Sequence, residues 1–218
     1  MIQILHIETA THICSVAISK NGQLSDSISE ISDGYIHGEK LTGFIDDLLK
    51  RNNIEYKSLS AISVSAGPGS YTGLRIGIST AKGLCFGLNI PIISISSIQS
   101  LHEIAHNKYP EKSIAVLLDA RRMEVYSEIY DASKSVLKKL SADVLVQNSY
   151  DEFLPLIIVG DANPKLKEFW ANRNLFFDDE VCISASGQVD LSYQKYLAKD
   201  FEDLAYFTPN YLKEFYTH

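Results

Sequence analysis

Along the first thirty residues the apolar positions come in short runs, "IQILHIE" over 2–8 and "ICSVAIS" over 13–19. They predict two strands. Asn21-Gly22, the dipeptide best suited to a tight hairpin, then leads to a third strand within 23–31. The period changes after that: Leu41, Phe44, Ile45, Leu48 and Leu49 recur at helical spacing and predict an amphipathic helix. A strand at 61–65, a glycine-rich loop, a helix from about 72 to 88 and a strand at 92–96 complete the first half.

The second half repeats this order. "IAVLLDA" (114–120), "EVYSEIY" (124–130) and "SVLKKL" (135–140) predict three strands. A helix near 149–154, a strand at 156–160, a helix over 164–171, a strand at 181–184 and a helix over 187–198 are expected to follow. The halves share topology but negligible residue identity. Three antiparallel strands followed by βαβ crossovers, used twice, predict an α/β protein of two ribonuclease-H-like lobes, the plan of the actin, hexokinase and Hsp70 (ASKHA) ATPases. The first lobe is expected over 1–108 and a smaller one over 109–218, with the tail from about 200 packing back on the first.

Composition narrows what such a protein does. The 218 residues are 45% hydrophobic and 22% charged, with 20 Lys plus Arg against 27 Asp plus Glu, a net charge of −7. An acidic chain lacks the basic footprint of autonomous nucleic-acid binding, so any RNA is expected to be held by a partner. Cys14, Cys85 and Cys182 lie far apart with no C-x-x-C spacing, which argues against a disulfide framework and for a reducing compartment. "MIQILHIETA" has no signal-peptide character, and the greasy stretch around 74–98 is broken by Arg75, Lys82 and Pro91. The expected place is the cytoplasm.

Half of the 12 glycines fall between 67 and 87: Gly67, Gly69, Gly73, Gly77, Gly83 and Gly87. The last four sit in the predicted helix, where each costs about 1 kcal/mol relative to alanine. A phosphate cradle needs glycines before a helix rather than along it, and the loop lacks the Lys-Ser/Thr ending of a P-loop. Gly73, Gly77 and Ala81, spaced by four, form one small-residue face that lets another helix approach closely. On spacing alone, packing within the lobe and contact with another molecule stand even.

"ILHIETATHICSVAI", "SAGPGSYTGLRIGISTAKGL", "IPIISISSIQSL" and "LLDARRMEVYSEIY", in this order, resemble the TsaB (YeaZ) family. The resemblance is strong to about residue 130 and continues weakly to "YFTPNYLKEF". It implies a non-catalytic partner of TsaD, the subunit that, with TsaE as an ATPase, transfers a threonylcarbamoyl group to the tRNA adenosine beside the anticodon. It further implies contact with TsaD, or with a second copy in its absence, through helices at about 38–51 and 72–88. His37, Leu41, Ile45, Thr72, Gly73, Ile76, Gly77, Thr80, Ala81 and Leu84 are the residues expected there. On that reading Gly77→Leu abolishes pairing and leaves the lobe folded. No cofactor is expected, with a nucleotide at the joint with the partner left open.

Active members of the superfamily hold metal and phosphates at the turn after the first strand of each lobe. Here "IETAT" offers Glu8, Thr9 and Thr11 without a glycine, and "DARRMEVY" offers Asp119 and Arg121. These are expected to be vestiges, polar turns or an ion pair, so an autonomous ATPase or sugar kinase is the weaker alternative. A metallopeptidase rests on "HEIAH" (102–106) alone, which fits H-E-x-x-H. His102 and His106 are expected on the solvent side of their helix, with no third ligand among His6, His12, His37 and His218. Aligned on TsaD's own H-x-x-x-H metal pair, this chain places Ser97 and Leu101 instead.

Overall fold

The computed structural model describes residues 1–31 and 37–213. The described residues divide into two compact units, one of residues 1–31, 37–100 and 183–210, the other of residues 101–182 and 211–213.

The first unit opens with β1 (Gln3–Glu8), β2 (Ile13–Lys20) and β3 (Gln23–Ile31), an antiparallel meander turned by Asn21 and Gly22, both at positive φ. After α1 (His37–Arg51) come β4 (Ala61–Gly67), α2 (Tyr71–Leu88) and β5 (Ile92–Ser96), with β4 and β5 parallel to β1. The strand order is β3-β2-β1-β4-β5. Side chains alternate across β1, so Leu5 and Ile7 join the core under α1 and α2, while Ile4 packs with Leu191 and Tyr196 on the opposite face. β1 and β2 are thus buried on both sides, which is why they read as nearly continuous apolar runs, while β3 at the edge is largely exposed.

The second unit runs β6 (Ile114–Asp119), β7 (Glu124–Tyr130), β8 (Val136–Val144), β9 (Ile157–Val159), α4 (Asn163–Phe169) and β10 (Phe176–Asp178). Its order, β10-β9-β6-β7-β8, reproduces that of the first. The core gathers around Trp170, whose indole donates to the Val146 carbonyl at 3.1 Å.

Three expectations need correcting. The helix expected at 149–154 is a single 3-10 turn, Asp151–Phe153. The strand expected at 181–184 lies earlier, as β10; Val181 and Ile183 are buried without joining a sheet. The lobe boundary also moves. It falls after Ser100, inside α3 (Ser97–Lys108), and residues 183–199 belong to the first unit with the strip from 200 to 210. The reason is coverage: α5 (Val189–Ala198) supplies Leu191 and Tyr196, which shield the face of the first sheet that α1 and α2 leave bare.

Candidate functional site

The turn after β1 is where the sequence points first, and it is filled from within. Glu8, Thr9 and Thr11 are all buried. Glu8 accepts the Ala10 N–H at 2.8 Å, and Gln188 Nε2 lies 3.4 Å from its other oxygen. Burial outweighs these bonds and raises the carboxyl to about 7. Thr9 Oγ1 donates to the Gly73 carbonyl at 2.8 Å, and the Ala10 carbonyl accepts the Ser70 N–H at 2.6 Å. His37, the first residue of α1, sets its Nε2 2.9 Å from the Thr11 carbonyl. The turn is stitched to the N-terminal ends of both helices.

This stitching decides what the small-residue face does. A Cβ on Gly73 would run into the Thr9 carbonyl oxygen, and one on Gly77 into Thr9 Oγ1. Both glycines and Ala81 are buried beside Leu74, Ile78 and Cys85. They are the inner face of α2, packed on β1's turn within their own unit. Their packing favours the alternative the spacing left open, contact within the lobe, and on this geometry Gly77→Leu is expected to disturb the fold. His37, Leu41 and Ile45 of α1 are buried inside the unit too. Of the ten residues expected at an interface, Thr72 is exposed and Ile76, Thr80 and Leu84 are partly so.

The outer face of α2 carries two glycines that spacing alone did not single out. Gly83 and Gly87 have open space where a side chain would stand, and Phe86 between them is 81% exposed. An aromatic ring in water beside two bare stretches of backbone is the feature on this helix that lacks an internal explanation.

The corresponding turn of the second unit is open. Asp119 is exposed and pairs with Lys165, which also donates to the Arg122 and Glu124 carbonyls at 3.1 and 2.6 Å. Arg121 and Arg122 both lie at positive φ, and the Arg121 N–H, rather than its guanidinium, meets Asp119 at 2.9 Å. The cation beside Glu124 is Lys213. The expected Arg121 ion pair is thus replaced by two lysines, while Asp161 accepts the Asp119 N–H at 2.7 Å.

The two HEIAH histidines are not both turned to solvent. His102 is buried rather than solvent-facing, its ring stacked on Tyr130 with centroids 3.8 Å apart. It lies at the edge of the stripe Ile98, Leu101 and Ala105, close enough for its flat ring to cap the sheet. Burial lowers it to about 4, so it is a neutral plate at ordinary pH. Among the described residues no group of three His, Cys, Asp or Glu side chains could hold a metal ion; His218 lies outside them. Nor is any described helix long and apolar enough to cross a membrane.

Comparisons with known proteins bear on the family and the fold. The family model for TsaD, tRNA N6-adenosine threonylcarbamoyltransferase, matches residues 35–216. The chain is 33% identical over 171 residues to the tRNA threonylcarbamoyladenosine biosynthesis protein TsaB of Buchnera aphidicola subsp. Schizaphis graminum, covering 75% of this chain and 80% of that one. It is 36% identical over 132 residues to the TsaB of Buchnera aphidicola subsp. Acyrthosiphon pisum, covering 61% of this chain and 59% of the relative. In three of the curated relatives the matched stretch spans only 51–59% of their length. Among solved structures, YeaZ from Pseudomonas aeruginosa superposes with a TM-score of 0.83 at 24% identity, over 97% of this chain and 100% of that one, which speaks for the fold.

Proposed function

Because the chain belongs to the tRNA N6-adenosine threonylcarbamoyltransferase family, with TsaB proteins among its relatives, we propose that it works as a TsaB-type partner subunit rather than as the transferase. Its partners on this reading are TsaD and TsaE, or a second copy of itself when TsaD is absent, and tRNA is met only through them. It has no reaction of its own.

One observation carries the reading: the turn after β1 is plugged by its own α2. With Thr9 Oγ1 on the Gly73 carbonyl and Ser70 N–H on the Ala10 carbonyl, the groups that would cradle a phosphate are already engaged. A polar group that spends its hydrogen bonds inside the lobe has none left for a ligand. The contact with TsaD then falls on the outer face of α2, where Gly83, Phe86 and Gly87 are exposed. Bare glycines there admit a second helix close to the backbone, and Phe86 supplies apolar area of the kind that anchors interfaces.

The test uses reconstituted threonylcarbamoyl transfer with TsaD, TsaE and tRNA. The chain alone should be inert, and adding it to TsaD and TsaE should raise the transfer rate. Gly83→Leu, whose side chain enters open space, should fold normally and weaken TsaD binding about tenfold or more. Transfer by the isolated chain, or unchanged TsaD affinity in a folded Gly83→Leu protein carrying Phe86→Asp as well, would overturn the proposal.

A further inference from the structure

A cavity of about 580 Å³ lies wholly within the first unit, at the carboxyl ends of the parallel strands β4 and β5. It is lined by Ala66 and Gly67 of β4, Ser94 and Ser96 of β5, Lys195 of α5 and residues of the strip between 202 and 210. The carboxyl ends of parallel strands are where open α/β sheets take their ligands. None of its lining residues belongs to α2 or to the turn after β1, although Lys82 of α2 donates to the Ala205 carbonyl of the strip at 3.2 Å.

The wall is built, not loose. The Glu202 N–H bonds the Ile92 carbonyl at 3.0 Å, and its Oε1 accepts the Ser94 hydroxyl. Asp203 Oδ1 accepts the N–H groups of Ala205 and Tyr206 at 2.8 and 3.0 Å. Asn210 N–H closes the strip onto the Ala66 carbonyl at 2.7 Å. Each carboxylate is thereby fixed through one oxygen. Among the described residues, Glu202 Oε2 and Asp203 Oδ2 carry no further hydrogen bond. The lysine of the lining, Lys195, is already paired with Asp200 at 3.3 Å. At the rim the Tyr206 ring is 83% exposed, an aromatic face with nothing over it.

Two anchored carboxylates with spare oxygens, a neutralised lysine, hydroxyl and amide acceptors and an open aromatic face together call for a cation that donates hydrogen bonds. We propose that this cavity binds a small primary amine, its ammonium between Glu202 and Asp203 and its carbon chain along the Tyr206 ring. A metal ion is a poorer fit, because the ring and the amide of Gln99 ask for a ligand with length and apolar surface.

The probe is putrescine, titrated calorimetrically into the full chain at constant ionic strength, with tetramethylammonium as a cation that has no N–H donors. Putrescine should bind one to one with a Kd of about 1 mM or tighter, and tetramethylammonium far more weakly. Glu202→Gln and Asp203→Asn each retain the acceptor oxygen that holds the wall. Each should weaken binding about tenfold, while Asp190→Asn, an exposed carboxylate of α5 outside the cavity, should leave it unchanged. Heat that never saturates, or an equal loss in Asp190→Asn, would show general attraction to an acidic surface and overturn the site. Should Glu202→Gln fail to fold by circular dichroism, Tyr206→Ala with Asp203→Asn decides, since unchanged putrescine affinity in both would reject the proposal.

Discussion

Glu8 and Asp119 stand at the same place in two sheets of the same strand order, each the last residue of the first strand in its meander. One is sealed and the other open. Glu8 is wholly buried, tied to Ala10 and beside Gln188, and its turn is bolted to two long helices. Asp119 meets solvent at 45% exposure, and its turn is held mainly by Lys165, whose side chain is 22% exposed. The difference follows from what succeeds the fourth strand. In the first unit α2, 18 residues long, brings Gly73 and Gly77 down onto Thr9; in the second, α4 is 7 residues and carries no such face. Both units do share one device. Gly160, at φ +127°, sits where a Cβ would strike the Leu117 carbonyl, as Gly73 does against Thr9. The same backbone approach therefore closes one turn and leaves its counterpart accessible.

The largest effect should come from prying the closed turn apart. Gly73→Ala drives a Cβ into a backbone carbonyl that cannot yield, and Gly77→Leu forces a branched side chain against a buried threonine. Each should cost about 3 kcal/mol or more, read as loss of the first unit's hydrogen-exchange protection. Gly77→Ala is the sharper probe, because its obstacle is a side-chain atom, Thr9 Oγ1; the Thr9 carbons lie at an ordinary 3.5 Å. Thr9→Ala should therefore recover part of the stability that Gly77→Ala loses, a positive coupling in a double-mutant cycle. Strict additivity would mean that the two residues do not meet.

The buried carboxyl should announce itself through pH. Its folded value, about 7, lies above the ordinary 4.5. Between those values the native chain holds a proton that the unfolded chain has released, so stability falls as pH rises. The contribution is full below about 4.5 and gone above about 7, a swing of roughly 3 kcal/mol at most. Glu8→Gln should remove this slope. It also turns an amide donor toward Gln188 Nε2, 3.4 Å from the present oxygen, a cost that does not vary with pH. The level of stability is thus uninformative and its slope decides. His6, lowered to about 3 by burial, and His102, lowered to about 4, act oppositely, losing stability as pH falls below 6.5, and they remain in both proteins. A Glu8→Gln protein with an unchanged slope between 4.5 and 7 would place the Glu8 proton elsewhere.

Much of this was legible in the chain, and the errors have physical sources. The short continuous apolar runs of β1 and β2 and the Asn21-Gly22 turn read directly as the first meander, because both faces of those two strands are buried. The spacing of Gly73, Gly77 and Ala81 was equally plain, but spacing identifies a face and not its direction. The missing signal was their neighbourhood: Leu74, Ile78 and Cys85 lie on the adjoining rows of α2, so the six form one inward stripe. Gly83, Phe86 and Gly87 are what that stripe leaves outside. His102 escaped for a related reason, since a polar letter at the edge of an apolar stripe hid a ring that stacks like an apolar plate. In the second unit β10, three residues long, is too short to show a period, and Val181 and Ile183 imitated one. The placing of α5 is beyond local pattern altogether, because it depends on the chain returning to cover the first sheet.

The smallest effect should lie at the open turn, and it tests the comparison from the other side. Asp119→Asn keeps an oxygen for the Arg121 N–H, removes one charge, and leaves Lys165 its bonds to the Arg122 and Glu124 carbonyls. An ion pair whose carboxylate is 45% exposed is screened by water and salt, so the substitution should cost less than about 1 kcal/mol. That small loss should shrink further in high salt, where the closed turn's glycine variants should be unmoved, since steric overlap is not screened. Thermal unfolding of Asp119→Asn at low and high salt, followed through Trp170 in the second unit's core, gives the reading. A loss of several kcal/mol that salt does not touch would mean Asp119 is as built-in as Glu8, and the contrast between a sealed and an open turn would fail.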